Sequence, residues 1–167
     1  MSVPLTAMLV TTFEPWSVFY ANSVALATAL TFVHLGAMMV GGGMAVSADR
    51  LVLRARIPVD AEASATLADT LGSVHRPVVM ALLVSLSSGL LQLAADLEAL
   101  LPNRVLWIKL SLLVLLVANG ALMLRDERAL RRDPRDTSRV GALRRRAITS
   151  LVLWLAVVLA GAGLMQG

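Results

Sequence analysis

The sequence predicts an all-α integral membrane protein that folds as a four-helix bundle. Of its 167 residues, 57% are hydrophobic, and the mean hydropathy is +0.77. Backbone groups in lipid must be hydrogen-bonded internally, and the apolar runs are continuous rather than alternating, which favours helices over a barrel. We therefore expect residues 1–167 to form a single transmembrane domain with helices at about 16–52, 60–100, 105–125 and 147–165.

The first predicted helix begins at Glu14-Pro15-Trp16, because proline is well accommodated in the first turn of a helix. Its apolar part exceeds the roughly 20 residues that span a bilayer. Charged residues mark its far end, and Ile57-Pro58 should terminate it. These charged residues are Asp49, Arg50, Arg54 and Arg56.

The second predicted helix joins a polar stretch to an apolar one. Apolar residues recur at steps of three and four through residues 59–76, which indicates an amphipathic helix. This stripe leads directly into the uncharged run from Val78 to Ala95, and Pro77 should kink the helix between them. The first two helices should thus form an extended hairpin that projects on the cytoplasmic side.

The arginines predict the orientation in the membrane. Nine of them lie in the polar loop 125–146, between the third and fourth predicted helices, and the positive-inside rule places such a loop in the cytoplasm. Of the 15 Lys and Arg residues, all but Arg104 and Lys109 lie at or near this side. Both termini should therefore be outside (N-out/C-out), and we expect the basic charge to serve topology rather than nucleic-acid binding. No Lys- or Arg-rich stretch precedes the first apolar run, so we expect no cleaved signal peptide.

The side chains available for chemistry are few. The chain has no cysteine and two histidines, His34 and His75, which excludes disulfides and thiolate metal sites. The sequence contains no nucleophile–base pairing, phosphate-binding loop or metalloprotease motif. We expect no independent catalytic activity.

His34 allows two interpretations, because it lies in the uncharged segment 21–48 among several glycines. It is either a packed histidine hydrogen-bonded to a neighbouring helix or a functional ligand that faces the bundle interior. If the chain reverses near residues 54–55, His34 and His75 lie level and could ligate the iron of one haem b. A connection centred on Ile57 would offset them by about one helical turn.

Further residues fit a haem between the first two helices. Gly41 and Gly89 lie on nearly the same helix faces as His34 and His75, and they either clear space for the ring or let the helices approach closely. Arg76 and Arg50 could pair with the propionates. Copper is the alternative cofactor, bound by His34 with Met38 and with Met39 or Met80 nearby.

Several short motifs resemble those of known membrane proteins. They are Thr31–Gly36, Gly41–Gly43, Asp49-Arg50, His75-Arg76-Pro77, Ser88–Leu91, Trp107–Leu110 and Ala118–Gly120. Together they are similar to a family of uncharacterised small bacterial membrane proteins and to the four-helix hairpins of the copper-resistance D family and of cytochrome b561-type proteins. The resemblance implies a protein of the bacterial inner membrane, with involvement of haem or copper. The b561 proteins that bind two haems need four ligand histidines, so this chain could hold at most one bis-histidine haem.

Three functions follow as hypotheses. The first is a b-type cytochrome that carries one haem for electron transfer, with other membrane redox subunits as partners. The second is a non-catalytic membrane subunit or scaffold without cofactor, and the third is a copper-handling membrane protein. The small residues Ala160–Gly163 near the end of the last helix make a homo-oligomer plausible.

Overall fold

The protein is a bundle of α-helices. The computed structural model describes residues 5–55 and 60–164, and α-helices are the only regular elements within these ranges. Those that are long and apolar enough to cross a membrane are α2, α3, α5 and α6. The predicted helical bundle and its multi-pass membrane architecture are therefore confirmed. In chain order the helices are α1 (Leu5–Ala21), α2 (Val24–Arg54), α3 (Ala61–Ala95), α4 (Leu97–Leu100), α5 (Arg104–Arg132) and α6 (Thr137–Leu164).

The first span starts later than predicted, because the chain breaks at Asn22 and Ser23. The Ser23 hydroxyl accepts a hydrogen bond from the Leu26 amide at 3.3 Å and so caps α2. Pro15 lies inside the separate helix α1, not at the start of a span. The prediction that Glu14-Pro15-Trp16 begins a helix is wrong.

Helix α1 is attached to the end of α3 through two side chains. The Trp16 indole donates to the Leu91 carbonyl at 2.9 Å, and the Ser17 hydroxyl donates to the Ala95 carbonyl at 2.7 Å. Carbonyls in the last turn of a helix lack an intrahelical partner. Ser17 thus satisfies the last carbonyl of α3.

The second predicted helix forms with a break near its end. Asp60 caps α3, accepting from the Ala63 amide at 2.7 Å, and the helix continues through Pro77 to Ala95. Asp96 then separates it from the short helix α4. The predicted terminator Ile57-Pro58 lies outside the described residues.

The predicted arginine-rich loop is mostly helical. Helix α5 runs on to Arg132 and α6 already begins at Thr137, so the connection covers only residues 133–136. The prediction of a polar loop is wrong, because an apolar stripe lies among the charged residues. Its members Leu130, Val140 and Leu143 are buried at 0–1% exposure.

These apolar residues belong to a cluster of buried hydrophobic side chains, which we name the inner core. All four long helices contribute to this inner core, whose surface carries polar groups such as the ion pair of Arg131 with Asp69. At this end the hairpin of α2 and α3 packs against α5 and α6, so all four long helices build it. The inner core consists of Ala48, Val52, Ala68, Leu71, Leu130, Val140, Leu143 and Ala147.

Farther from the inner core, large apolar side chains point outward. Examples are Phe32 on α2, Leu90 on α3, Val114 on α5 and Leu155 on α6, all exposed on the bundle surface. Outward apolar residues on helices of this length are typical of lipid contact. The bundle thus has an apolar belt followed by a polar inner end.

The register of α2 against α3 is set by close approach. The two helices are antiparallel and form the most extensive helix pair, followed by α5 with α6. A Cβ on Gly41 would lie 3.0 Å from the Ala81 Cβ, and the Gln92 amide donates to the Leu30 carbonyl at 3.2 Å. The bundle is therefore two tight hairpins that meet along α2–α6 and along the looser seam α3–α5.

The inner core yields a stability prediction. Leu143→Ala should lower the free energy of unfolding by about 2–5 kcal/mol, because it leaves a cavity in closely packed surroundings. Leu155→Ala is the matched control, since Leu155 is 72% exposed and its loss should cost about 0.5 kcal/mol or less. Unfolding in a titration with dodecyl sulfate, followed by tryptophan fluorescence, measures both. Equal losses of unfolding free energy in the two variants would contradict the burial of Leu143 in the inner core.

Candidate functional site

His34 on α2 is hydrogen-bonded across the helix pair to α3. Its Nδ1 lies 2.8 Å from the Ser85 carbonyl oxygen and 3.2 Å from the Ser88 hydroxyl. Because a carbonyl can only accept, Nδ1 carries a proton and donates it. In the neutral imidazole, Nε2 is then the nitrogen left to accept a hydrogen bond or bind a metal.

Gly89 makes room for this imidazole. A Cβ at position 89 would lie 3.0 Å from Cε1 of His34, closer than side chains normally approach. The space that Gly89 clears is thus occupied by the His34 ring itself. Gly41 serves the close approach of α2 to α3 instead, with Ala81 and Trp154 against it.

The cavity beside His34 is small. Its volume is about 80 Å³, and Met38, Lys109 and Trp154 are among its lining residues. Sites for drug-sized ligands start at roughly 300 Å³, so the cavity beside His34 is smaller than such a site. Met38 does share this cavity with His34, as the copper hypothesis requires. Within residues 5–55 and 60–164, no group of three or more His, Cys, Asp or Glu side chains is placed to hold a metal ion.

The structure does not bring His34 and His75 together. His34 contacts α3 between Ser85 and Gly89, a stretch that begins about ten residues beyond His75. At 1.5 Å per residue, the two histidines differ by roughly 15–20 Å along the helix axis. His34 and His75 would lie level if the chain reversed near residues 54–55. In the observed register, α3 is shifted along α2 by several helical turns from that arrangement.

His75 instead lines a larger cavity, which we name the cleft. It has a volume of about 320 Å³ and lies along the seam between α3 and α5, with parts of α2 and α6 at its back. Leucine and valine make up half of its lining residues. Its inner end is polar, formed by Asp49, His75, Asn119, Glu127 and Ser150.

Asp49 is the polar residue of this end that is least satisfied. It is 1% exposed, and no donor among the described residues reaches its Oδ2. The Ser150 hydroxyl interacts with its carboxylate from α6. An acceptor buried without a partner costs about 1–3 kcal/mol, which makes Asp49 a candidate contact for a ligand.

Two other polar groups of the inner end, Asn119 and Glu127, have partners. The Asn119 amide donates to the Arg146 carbonyl at 3.0 Å, and the Glu127 carboxylate pairs with Arg131 at 3.1 Å. These bonds hold their side chains in place. Among these three side chains, Asp49 is the one with a buried acceptor that no described residue satisfies.

The two arginines proposed for propionates lie apart from His34. Arg76 is exposed on α3 next to His75 and lines a surface groove. Arg50 is exposed on α2 and is not among the residues that line the cleft. Sequence reasoning missed Asp49 as a site residue, since its charge was taken to mark a helix end. Its spacing of three from Val52, within a buried stripe that includes Ala48, is the signal that could have identified it.

Comparisons with known proteins add no relative. No family model matches the sequence, and no curated protein and no solved structure matches it significantly. The resemblance to copper-resistance D and cytochrome b561-type proteins stays a prediction.

The contact of Gly89 with His34 can be tested by a double-mutant cycle. Gly89→Ala should destabilise the protein by about 1–3 kcal/mol, because the new methyl group overlaps the imidazole. In the background His34→Ala the same change should be neutral or stabilising by about 0.5–1 kcal/mol, as expected for Gly→Ala inside a helix.

Gly36→Ala is the matched control, since a Cβ there meets no atom within 4 Å. It should be neutral or stabilising in both backgrounds. Unfolding free energies from detergent titration measure all variants, and a penalty for Gly89→Ala that persists without the imidazole would refute the contact.

Proposed function

We propose that the protein is a non-enzymatic membrane protein that binds a lipid-soluble small molecule in the cleft between α3 and α5. The observation that carries the proposal is the buried carboxylate of Asp49 at one end of an otherwise apolar cavity. Ligand sites commonly combine an apolar lining with a small number of placed polar groups. The cleft combines the two, and its volume of about 320 Å³ suits part of a lipid-sized molecule.

The lining supports access from the bilayer. Val79, Leu83 and Leu86 on α3 and Val117 on α5 line the cleft and are also exposed on the outer surface. The cleft is therefore open sideways, toward lipid. A molecule dissolved in the membrane can reach it without crossing the polar inner end.

The free acceptor defines the ligand chemistry further. The Asp49 carboxylate can accept a hydrogen bond from a hydroxyl, amide or ammonium group. Satisfying a buried acceptor recovers the free energy lost on its desolvation. A ligand with an apolar body and a hydrogen-bond donor at one end fits this arrangement best.

The cofactor hypotheses can be tested on the purified protein. A haem held by both histidines is disfavoured by their separation, but haem or copper on one histidine would show in the purified protein. A Soret band that is lost in His75→Ala, or copper that is lost in His34→Ala, would replace the present proposal with the corresponding cofactor.

We further propose that the protein resides in a bacterial inner membrane with its arginine-rich end in the cytoplasm. The nine arginines between residues 125 and 146 support this orientation. Since the chain has no cysteine, single cysteines report the sidedness. In intact cells, a membrane-impermeant maleimide should label Pro102→Cys and spare Ser138→Cys until the cells are lysed. The reverse pattern would invert the topology.

The binding proposal predicts that filling the cleft abolishes ligand binding. Gly120 lines the cleft, and a Cβ there meets no atom within 4 Å, so Gly120→Leu should fill the cavity without a clash. The probe is a diazirine-bearing fatty alcohol, photo-cross-linked to the full-length protein in nanodiscs. Labelling of α3 and α5 peptides that line the cleft, measured by mass spectrometry, should fall at least about fivefold.

Gly43→Leu is the matched control. Gly43 is exposed on α2, a Cβ there also meets no atom within 4 Å, and the gain in helix propensity is the same. Its labelling should equal that of the unmodified protein. If Gly120→Leu and Gly43→Leu label alike, the cleft is not the binding site.

A further inference from the structure

A groove on the protein surface continues the cleft at its inner end. The groove is formed by α3 and α5 and has a volume of about 750 Å³. Cleft and groove meet side by side, because four residues line both. The shared residues are His75, Val79, Leu124 and Glu127.

The groove is basic. Arg76, Arg128 and Arg131 line it together with the acids Asp69 and Glu127. Arg131 is already engaged, because its guanidinium pairs with both acids. Its Nη2 also lies against Gly72 on α3.

Arg76 and Arg128 are the cations of the groove that remain available. Both are exposed, and neither forms an ion pair within the part of the chain that the structure describes. They approach the same groove from two helices. Two guanidinium groups so placed form a site for a phosphate, which arginine binds with directed hydrogen bonds.

The groove lies at the level along the bundle where a lipid headgroup would be. Arg76 precedes the exposed apolar residues Val79 and Met80 on α3 by about one turn, so it lies at the border between the apolar belt and the polar end. Basic pockets between membrane helices at this border are where acidic headgroups bind. A soluble phosphate would use the groove alone and leave the adjoining apolar cleft without a function.

We infer that the ligand of the cleft is an acidic phospholipid. Its phosphate binds Arg76 and Arg128 in the groove, and one acyl chain enters the cleft past His75. Hydroxyl groups of the headgroup supply donors for the polar inner end, where Asp49 has an unsatisfied acceptor. The inference rests on the proposed function, since it names the molecule that the cleft binds.

The test measures lipid binding to the full-length protein by native mass spectrometry in detergent, with phosphatidylglycerol and phosphatidylcholine of identical chains. The protein should bind phosphatidylglycerol more tightly. Arg76→Gln with Arg128→Gln should weaken that binding roughly 30-fold, from about fivefold for each arginine. It should weaken phosphatidylcholine binding much less, because the choline cation offsets the attraction between its phosphate and the arginines.

Arg54→Gln with Arg145→Gln is the matched control. Both arginines are exposed, neither lines the groove, and their removal changes the net charge by the same amount. This variant should retain the preference for phosphatidylglycerol. If it loses the preference equally, the effect is general surface charge and the headgroup site is refuted.

Two further measurements distinguish an acidic-lipid site from ligand binding in the cleft alone. Gly120→Leu should weaken phosphatidylglycerol binding, whereas inorganic phosphate at the same concentration should not compete with it. If the diazirine probe labels the cleft but phosphatidylglycerol and phosphatidylcholine bind alike, the cleft binds ligand and the acidic-lipid inference is overturned. If Gly120→Leu changes neither labelling nor lipid binding, the proposed function falls with it.

Discussion

The register between α2 and α3 is the constraint on which the site depends. It is fixed where Gly41 meets Ala81 and where His34 bonds to the Ser85 carbonyl. In lipid, helices gain no hydrophobic free energy from packing on each other, so small residues and interhelical hydrogen bonds decide how they fit. This register places His34 in the apolar belt and His75 near the depth of Asp49, and it thereby separates the two histidines.

The sequence allowed the spans to be predicted and left the register open. Continuous apolar runs identify α2, α3, α5 and α6 because the bilayer fixes their length. The relative shift of two helices depends instead on which side chains interlock, and hairpin arithmetic assumes a symmetrical turn. The helices within residues 125–146 were not predicted for another reason. Few apolar residues, such as Leu130 and Leu143, occur among the arginines there.

The cleft follows from how the two hairpins are packed. Helices α2 and α3 are closely associated, and so are α5 and α6, whereas α3 and α5 touch less extensively. The inner core joins all four helices at the polar end, where water outside supplies a hydrophobic driving force. Farther into the belt that force is absent between helices. The seam α3–α5 can therefore stay open to lipid without loss of the fold.

His75 illustrates how such a seam turns a packed bundle into a binding surface. His75 lies where the apolar cleft joins the basic groove, and it lines both. Asp49 lines the same cleft, and no described residue satisfies its Oδ2. An apolar residue at position 49 would avoid the desolvation cost of the carboxylate. In the proposed function, a donor of the ligand recovers this cost, which would couple binding in the cleft to the stability of the whole bundle.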